Sequence, residues 1–411
     1  MSTHPPQSRG EKALAWVRDH SPVLESYRGD YAESRPFADE TVAVSAPLTP
    51  HTGVFIETLH AGGAEVLFCG EPDTNHGPVI EELAELDGVE AFVEEGMELD
   101  EYGPAQDALL EREPDVIFDD GCALIARVHD EHPEIAANVR AGCEQTTAGI
   151  TRLEAMDREG VLEFPVYGVN DTPMKHYFDN VHGTSESTIT GLLMTTNTMI
   201  SGETVVVAGY GYCGRGLARK LRGMGAQTIV TEADPRKALE AHMDGHRVMS
   251  MAEAAPEGDY FVSVTGSQHV VREEHFEAMA DGAIVASAGT ASEIDVGALE
   301  AMAARESEPK EGVTRYHLDD GRHINLLTDG YVVNLAAPGA AGNPSEVMDL
   351  TFATMSVAAD DLLEREREPG LYALPDELDR AVAERKLETL GIEAEEITET
   401  QEAYADDWRR K

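Results

Sequence analysis

The sequence predicts an α/β fold with a mostly parallel, doubly wound sheet, and three observations carry that expectation. A single run from Glu203 to Asp234 reads, in order, as strand, glycine turn, helix, strand and acid. Short apolar stretches alternate with helix-period stretches along most of the chain, which implies parallel strands covered by helices. At 411 residues and 42% hydrophobic content, the chain is long enough for two or three domains with real cores.

The central run comes first because the rest is arranged around it. Thr204 to Ala208 is a β-branched strand, and Gly209, Gly211 and Gly214 follow in G-x-G-x-x-G spacing. The first glycine permits the tight turn, the second lets backbone approach a pyrophosphate, and the third lets the next helix pack close to the strand. That helix offers free N–H groups and the positive end of its dipole to phosphates. A second strand, Thr228 to Thr231, ends at Glu232, 23 positions after Gly209. A carboxylate there accepts from a ribose 2′-hydroxyl and repels a 2′-phosphate, so the expected cofactor is NAD rather than NADP, with Arg236 close enough to blunt the preference.

From the N-terminus, Lys12 to Tyr27 has helical periodicity, Thr41 to Leu48 reads as a strand, and His51 to Ala61 as a helix. Glu65 to Gly70 is a strand, Pro78 to Leu86 a helix, and Asp115 to Phe118 a buried strand that ends in Asp119-Asp120-Gly121. Ligands collect at carboxyl ends of strands in such sheets, which places Asp120 for chemistry, although a turn or cap carboxylate fits equally well. Gly142 to Gly149 reads as a polar loop between helical stretches, with Thr146 and Thr147 as turn or capping residues. In Phe164 to Gly183, Thr172 is an N-cap before Pro173, so Lys175 and Asp179 fall four apart on one helical face. A surface ion pair is the plain reading. Yet the chain has seven lysines, and this one clusters with Asn170, Asp171, Asp179 and Asn180, a set able to position and deprotonate a hydroxyl.

A helix from Ser185 to Ile200 leads into the glycine unit, and strands follow at Arg247 to Met249, Tyr260 to Val264 and Ala283 to Ser287. Thr265-Gly266 and Ala288-Gly289 close two of them at the cofactor edge. Between Val313 and Ala336, two Asp-Gly turns separate β-rich runs and suggest hairpins. A Pro/Gly hinge spans Pro338 to Pro344, a helix runs from Ser345 to Glu364, and Leu374 to Lys411 is a charged helical tail.

Composition narrows the partners. With 78 acidic and 31 basic residues the formal charge is −47, spread along the chain in the manner of a surface adapted to high salt. Nucleic acid and anionic membrane are poor partners for it. Cys69, Cys122, Cys143 and Cys213 form no C-x-x-C pair, so neither zinc nor a disulfide framework is expected. The leader MSTHPPQSRGEK lacks a signal-type apolar run and nothing reaches the roughly 18 apolar residues of a spanning helix, so a cytoplasmic protein is expected.

These residues together resemble the S-adenosylhomocysteine hydrolase family over nearly the whole length. The resemblance rests on DDG (Asp119 to Gly121), QTTAG (Gln145 to Gly149), VNDTPMKHYFDN (Val169 to Asn180), VVVAGYGYCGRG (Val205 to Gly216), TEADP (Thr231 to Pro235) and DGYVVNLAA (Asp329 to Ala337). It implies a doubly wound NAD-binding Rossmann domain inserted in a split α/β substrate-binding domain, with a C-terminal helical tail. The implied parts are substrate domain 1–183, NAD domain 184–337, hinge and returning helix 338–373, and tail 374–411. It further implies a homotetramer that uses and regenerates bound NAD while cleaving a nucleoside thioether.

By the same resemblance, Lys175 and Asp179 handle the ribose 3′-hydroxyl and Asp120 takes the C4′ proton. Thr49, His51, Gln145 and Asn170 line the substrate. Thr146, Thr147, Asn180, Tyr212, Cys213, Glu232, Thr265 and Asn334 join the three glycines on NAD, and no metal is implied. The chain departs from the family pattern at Pro47, Thr290 and Asn343, where the family has histidines, at Gln145, where it has glutamate, and at His51, where it has an acid near the adenine. The family's longer members end in a tail whose lysine and tyrosine reach the neighbouring subunit's NAD, and with this sequence stopping at Trp408-Arg-Arg-Lys411 that contact is not expected. Proline has no proton to give, and glutamine and threonine do not titrate near neutrality. Two other readings therefore stand beside the hydrolase: a silent NAD-bound homologue that binds nucleoside or regulates a complete hydrolase, and a plain NAD-dependent nucleoside dehydrogenase.

Overall fold

The computed structural model describes residues 8–72 and 74–409, so the start of the leader and the last two residues lie outside it. Two sheets carry the fold. The first has seven strands in the order β15-β6-β5-β4-β1-β2-β3 and the second eight, in the order β12-β13-β14-β11-β10-β7-β8-β9. The first comprises β1 (Thr41–Ser45), β2 (Glu65–Cys69), β3 (Val89–Ala91), β4 (Val116–Asp119), β5 (Ala141–Glu144), β6 (Pro165–Gly168) and β15 (Gly370–Tyr372), all parallel. In the second, β7 (Thr204–Ala208), β8 (Gln227–Thr231), β9 (Arg247–Val248), β10 (Tyr260–Ser263), β11 (Ile284–Ser287) and β14 (His323–Leu327) are parallel. The reversed strand is β13 (Val313–Leu318), which pairs antiparallel with β14 and with the edge strand β12 (Ala303–Lys310). The central strands read TVAVS, VIFD and TVVVA and are buried on both faces, as helices on both sides of a parallel sheet require.

Strand order fixes where ligands can enter. In the first sheet the chain proceeds from β1 outward to β2 and β3, then returns to place β4 on the other flank of β1. In the second it runs β7, β8, β9 and returns to place β10 beside β7. Each reversal opens a crevice beyond the carboxyl ends of the two strands concerned. The first crevice is bordered by Ala46-Pro47 and Asp119-Asp120, the second by Gly209 and Val264-Thr265.

The helix Ser345–Glu364 joins the halves. It returns from the second sheet to the first, buries 13 of its 20 residues, and stacks Phe352 on Phe55 at 4.6 Å with Phe118 set edge-on to Phe55. Its sequence, SEVMDLTFATMSVAADDLLE, is apolar nearly all round, as a helix covered on every side must be.

Several expectations change. The helix of 12–27 is two helices, Arg9–His20 and Pro22–Ser34, because Pro22 cannot continue a helix and opens the second one. Residues 142–149 are not a loop: Ala141–Glu144 is strand β5 and a helix starts at Thr147, the strand being too short and too polar at its end to stand out. Only the first Asp-Gly pair makes a hairpin, between β13 and β14; Asp329-Gly330 lies in a 3₁₀ turn that leads to the helix Val333–Ala336. The tail is docked at its start, where helix Asp376–Leu390 buries Val382 and pairs Lys386 with Asp349 at 2.9 Å. Strand β15, three residues long, gave no periodic signal.

Candidate active site

An unusual helix lies at the centre of the site. Thr172 caps as expected, its hydroxyl accepting from Lys175 N at 3.3 Å. The α-helix then lasts only from Pro173 to Lys175 and continues as a π-helix over His176–Gly183. A wider turn places i+4 and i+5 together. Lys175 Nζ therefore meets both Asn180 Oδ1 at 2.6 Å and Asp179 Oδ2 at 3.3 Å. All three side chains are buried, so the surface ion-pair reading is excluded.

The contacts continue outward in both directions. Asn180 donates to Asn170 Oδ1 at 3.0 Å, and Asn170 donates to Thr147 Oγ1 at 3.1 Å. Asp179 accepts from Asn343 Nδ2 at 2.6 Å and from Thr351 Oγ1 at 2.7 Å. Asn343 in turn accepts from Ser187 Oγ at 2.7 Å and Asn334 Nδ2 at 3.4 Å. The hinge and the returning helix thus hold Asp179 directly, which spacing along the chain could not reveal.

Asp120 faces this group from the end of β4. Gln145 Nε2 donates to Asp120 Oδ2 at 2.8 Å, while Gln145 Oε1 is buried without a partner among the described residues. Burial raises the Asp120 carboxyl above the usual range, opposed by the Gln145 bond and the charge of Lys175. Its neighbours have other work. Asp119 accepts from Asp120 N and Ile125 N, and burial pushes it up to about 7. Glu144, fully buried and raised by that burial, accepts from Gly121 N at 3.1 Å, Cys122 N at 2.7 Å, and Thr146 N and Oγ1 at 2.7 Å. Thr146 also caps the next helix, accepting from Gly149 N at 3.0 Å. Glu144 was not singled out from sequence, since a glutamate in a polar stretch carries no sign of burial.

The glycine turn is as predicted. Gly209 has φ 106°, a conformation L side chains rarely adopt, and a Cβ on Gly214 would strike the Gly209 carbonyl. A Cβ on Gly211 would meet nothing within 4 Å, so this side of the turn faces open space, and Gly211 caps helix Tyr212–Gly223 with no side chain occupying its N–H groups. Glu232 accepts from Tyr210 N at 2.7 Å and Asp234 N at 2.8 Å, which holds its carboxylate beside the turn. Arg236 is turned aside onto Asp234 at 2.7 Å. These features fit a pyrophosphate and a ribose diol. At the neighbouring strand end, Thr265 N and Oγ1 donate to buried Glu293, at 2.9 and 3.0 Å to its Oε2. Glu293 was another residue without a sequence signal.

The π-helix is pressed against the helix after the glycine turn. A Cβ on Gly216 would collide with the Val181 carbonyl, lying 2.8 Å from its carbon and 2.9 Å from Ser185 Oγ. Tyr212 stacks on His176 with ring centroids 4.0 Å apart. Cys213 lies where Lys175 and Asp179 act on it, its thiol pushed up to about 11 by burial first.

His51 lies apart from these groups, in a cleft of about 420 Å³ that also includes Asn334, Asn343 and Ser345. Its Nε2 is 2.9 Å from Ser345 Oγ and its Nδ1 3.4 Å from Thr49 Oγ1. Burial lowers it to about 4, so its imidazole is neutral at working pH. Among the described residues no group of three His, Cys, Asp or Glu is placed to hold a metal ion, and no helix is long and apolar enough to cross a membrane.

Comparison with known proteins agrees with this geometry. Residues 180–340 match the family model described as S-adenosyl-L-homocysteine hydrolase, NAD binding domain, and residues 6–133 match that of S-adenosyl-L-homocysteine hydrolase. An adenosylhomocysteinase of Aquifex aeolicus is 45% identical over 97% of this chain and 96% of its own length. An S-inosyl-L-homocysteine hydrolase of Methanopyrus kandleri is 45% identical over 97% and 95%, and an adenosylhomocysteinase of Haloquadratum walsbyi 43% identical over 98% and 94%. With matches of this extent, the chain belongs to the S-adenosyl-L-homocysteine hydrolase family and carries its NAD-binding domain.

Proposed function

We infer that this chain is an NAD-dependent hydrolase that splits a nucleoside thioether, S-adenosyl- or S-inosyl-L-homocysteine, into nucleoside and homocysteine. The observation that carries the reading is the buried group Lys175, Asp179 and Asn180, facing Asp120 across the strand ends and pressed by Gly216 against the glycine turn. The chemistry that NAD supplies when bound is reversible oxidation of the ribose 3′-hydroxyl to a ketone. Gly209, Gly211 and Gly214 would hold its phosphates and Glu232 a ribose, with Tyr212, Cys213, Thr265, Thr146, Thr147, Asn180 and Asn334 around it.

The chain's own residues do the rest. Lys175 and Asp179 orient the 3′-hydroxyl and take its proton, within a group closed to water. A 3′-ketone acidifies the C4′ hydrogen, which Asp120 takes as a proton. The electron pair left on C4′ forms a C4′–C5′ double bond as the thiolate leaves from C5′. Water adds to that bond and the ketone is reduced again, which restores the cofactor. Asn170 positions the ribose edge. The unpartnered Gln145 Oε1 accepts one of the ribose hydroxyls. His51, neutral in its cleft, both donates and accepts, which suits the base edge of either adenine or hypoxanthine.

The domain partition at 183, 337 and 373, a homotetramer, cytoplasmic location and a salt-adapted surface belong to the same reading. The test uses purified protein in molar salt with each of the two thioethers, following free thiol and bound NADH together. Thiol release from one of them supports the hydrolase and names its base. NADH without thiol favours the dehydrogenase, a reading that Pro47 keeps alive because it offers no proton to the leaving sulfur. Silence in both channels with retained nucleoside binding favours the regulator.

A further inference from the structure

One buried side chain ties together the carboxyl ends of β10 and β11, and the reaction as described makes no use of it. Glu293 closes the short 3₁₀ turn after β11 and is fully buried. Its Oε1 accepts from Gly266 N at 2.7 Å and Thr290 N at 3.1 Å, and its Oε2 from Thr265 N at 2.9 Å and Thr265 Oγ1 at 3.0 Å. Three of these four donors are backbone N–H groups, which can only donate, so both oxygens serve as acceptors, as those of an ionised carboxyl do. Burial pushes the group up, and the bonds from Thr265, Gly266 and Thr290 hold it down. The packing leaves no slack, since a Cβ on Gly289 would collide with Glu293 Oε1.

This shelf abuts the glycine turn. A Cβ on Gly209 would meet Val264 O at 2.8 Å and Thr265 Cγ2 at 3.1 Å, and one on Gly214 would meet Val264 Cγ1 at 3.2 Å. Strand order sets which part of a dinucleotide falls here. The sheet runs β8, β7, β10, β11, and Glu232 after β8 and the glycine turn after β7 are placed for a ribose and the pyrophosphate. The ends of β10 and β11 are thereby left to the nicotinamide half. Among the described residues no lysine, arginine or histidine pairs with Glu293. A buried charge calls for an opposite one. The oxidised nicotinamide ring carries a positive charge, and the reduced ring carries none.

We propose that Glu293 is a positioning residue of the cofactor site, whose buried negative charge favours the oxidised, cationic nicotinamide ring over the reduced, neutral one. It holds Thr265, Gly266 and Thr290 as one rigid edge and lowers the reduction potential of the bound cofactor. Reduction adds a hydride, two electrons and one proton, and cancels the charge that Glu293 attracts. A cofactor regenerated in each turnover has to be oxidised when the next substrate arrives, and a fixed anion at this edge biases the resting protein toward that state. The proposal rests on the NAD-binding domain and not on which thioether is cut.

The test measures the reduction potential of the bound cofactor in wild-type, Glu293→Gln and Glu293→Asp holoprotein. Absorbance of bound NADH is followed during equilibration with redox couples of known potential, with no nucleoside present. Molar salt, where the Debye length is about 3 Å, suppresses the pull of the surface acids and leaves a buried charge at work. In Glu293→Gln the bound equilibrium should move about tenfold toward NADH, a rise of about 30 mV for two electrons. Glu293→Asp keeps the charge and should stay within about twofold of wild type. A purely structural role would weaken the hold on both forms alike. An unmoved potential in Glu293→Gln, or an equal rise in both variants, therefore overturns the proposal. The wild-type value decides the matter where Glu293→Gln does not fold. It should lie below that of the free cofactor couple, because a site that prefers the oxidised ring binds NAD+ more tightly than NADH. A wild-type potential at or above the free value overturns the proposal.

Discussion

The strongest test of the site's construction is Thr351→Val, a change that bears on the 3′-hydroxyl only through Asp179. Thr351 is fully buried on the returning helix, and its hydroxyl donates to Asp179 Oδ2 at 2.7 Å. Asp179 is itself 2% exposed and has three donors, the others being Asn343 and Lys175. Valine keeps the shape of threonine, so there is no cavity term, and no water replaces the lost donor. Removing one bond to a charged group costs about 1.5–3 kcal/mol. We expect a loss of about 2 kcal/mol in unfolding free energy. Formation of bound NADH on mixing with substrate should slow at least about tenfold, since small misplacements of a reacting group are costly. The decisive measurement is a double-mutant cycle with Asp179→Asn. If Thr351 acts through the carboxylate, its effect should shrink by at least about 1 kcal/mol in that background. An undiminished effect would mean that Thr351 is merely a packing residue, and a variant indistinguishable from wild type would refute the clamp altogether.

Gly216→Ala should lose about 1–3 kcal/mol by overpacking against the Val181 carbonyl and, by displacing the π-helix, slow NADH formation more than it weakens substrate binding; thermal unfolding and stopped-flow absorbance check both. Glu232→Gln keeps the contour of the side chain but drops its charge, so the preference for NAD over NADP should fall about tenfold, about 1.4 kcal/mol, by competition for the apoprotein. His51 should give the protein a pH-dependent stability. Its folded value, about 4 against 6.5 unfolded, means that between those values the unfolded chain binds a proton the folded chain refuses. Stability from this group is therefore complete above about pH 6.5 and lost as pH falls toward 4, by about 3 kcal/mol at most. Denaturant titrations of His51→Asn should be flatter than wild type in that window, and an unchanged difference across it would show that the buried imidazole carries no such cost.

Much of the fold was legible because its signals are local. Gly209, Gly211 and Gly214 announce a turn through backbone geometry, and β-branched runs such as TVAVS and TVVVA announce buried parallel strands. The elements that escaped were those defined by partners rather than by pattern. Strand β15 consists of three residues that exist as a strand because β6 offers an open edge. Strand β12, AARESEPK, is mostly exposed and has no apolar alternation to betray it. Strand β5 ends in a glutamate whose burial depends on four donors, two of them from the turn after β4.

The site divides in the same way. Lys175 and Asp179 could be paired from one stretch of sequence, because a helix brings residues four apart into reach, and Asn170 and Asn180 lie in the same stretch. That the helix is a π-helix follows from a long-range contact instead: Gly216 admits the Val181 carbonyl, and the chain between Lys175 and Gly183 must widen to meet it while Asp179 is held by Asn343 and Thr351. Those two, 164 and 172 positions away, carry no chemical signature in sequence. Nor does Glu144, one of 78 acids. A strongly acidic surface conceals the few carboxyls that are buried, since charge is informative in sequence only where it is rare, as it was for Lys175.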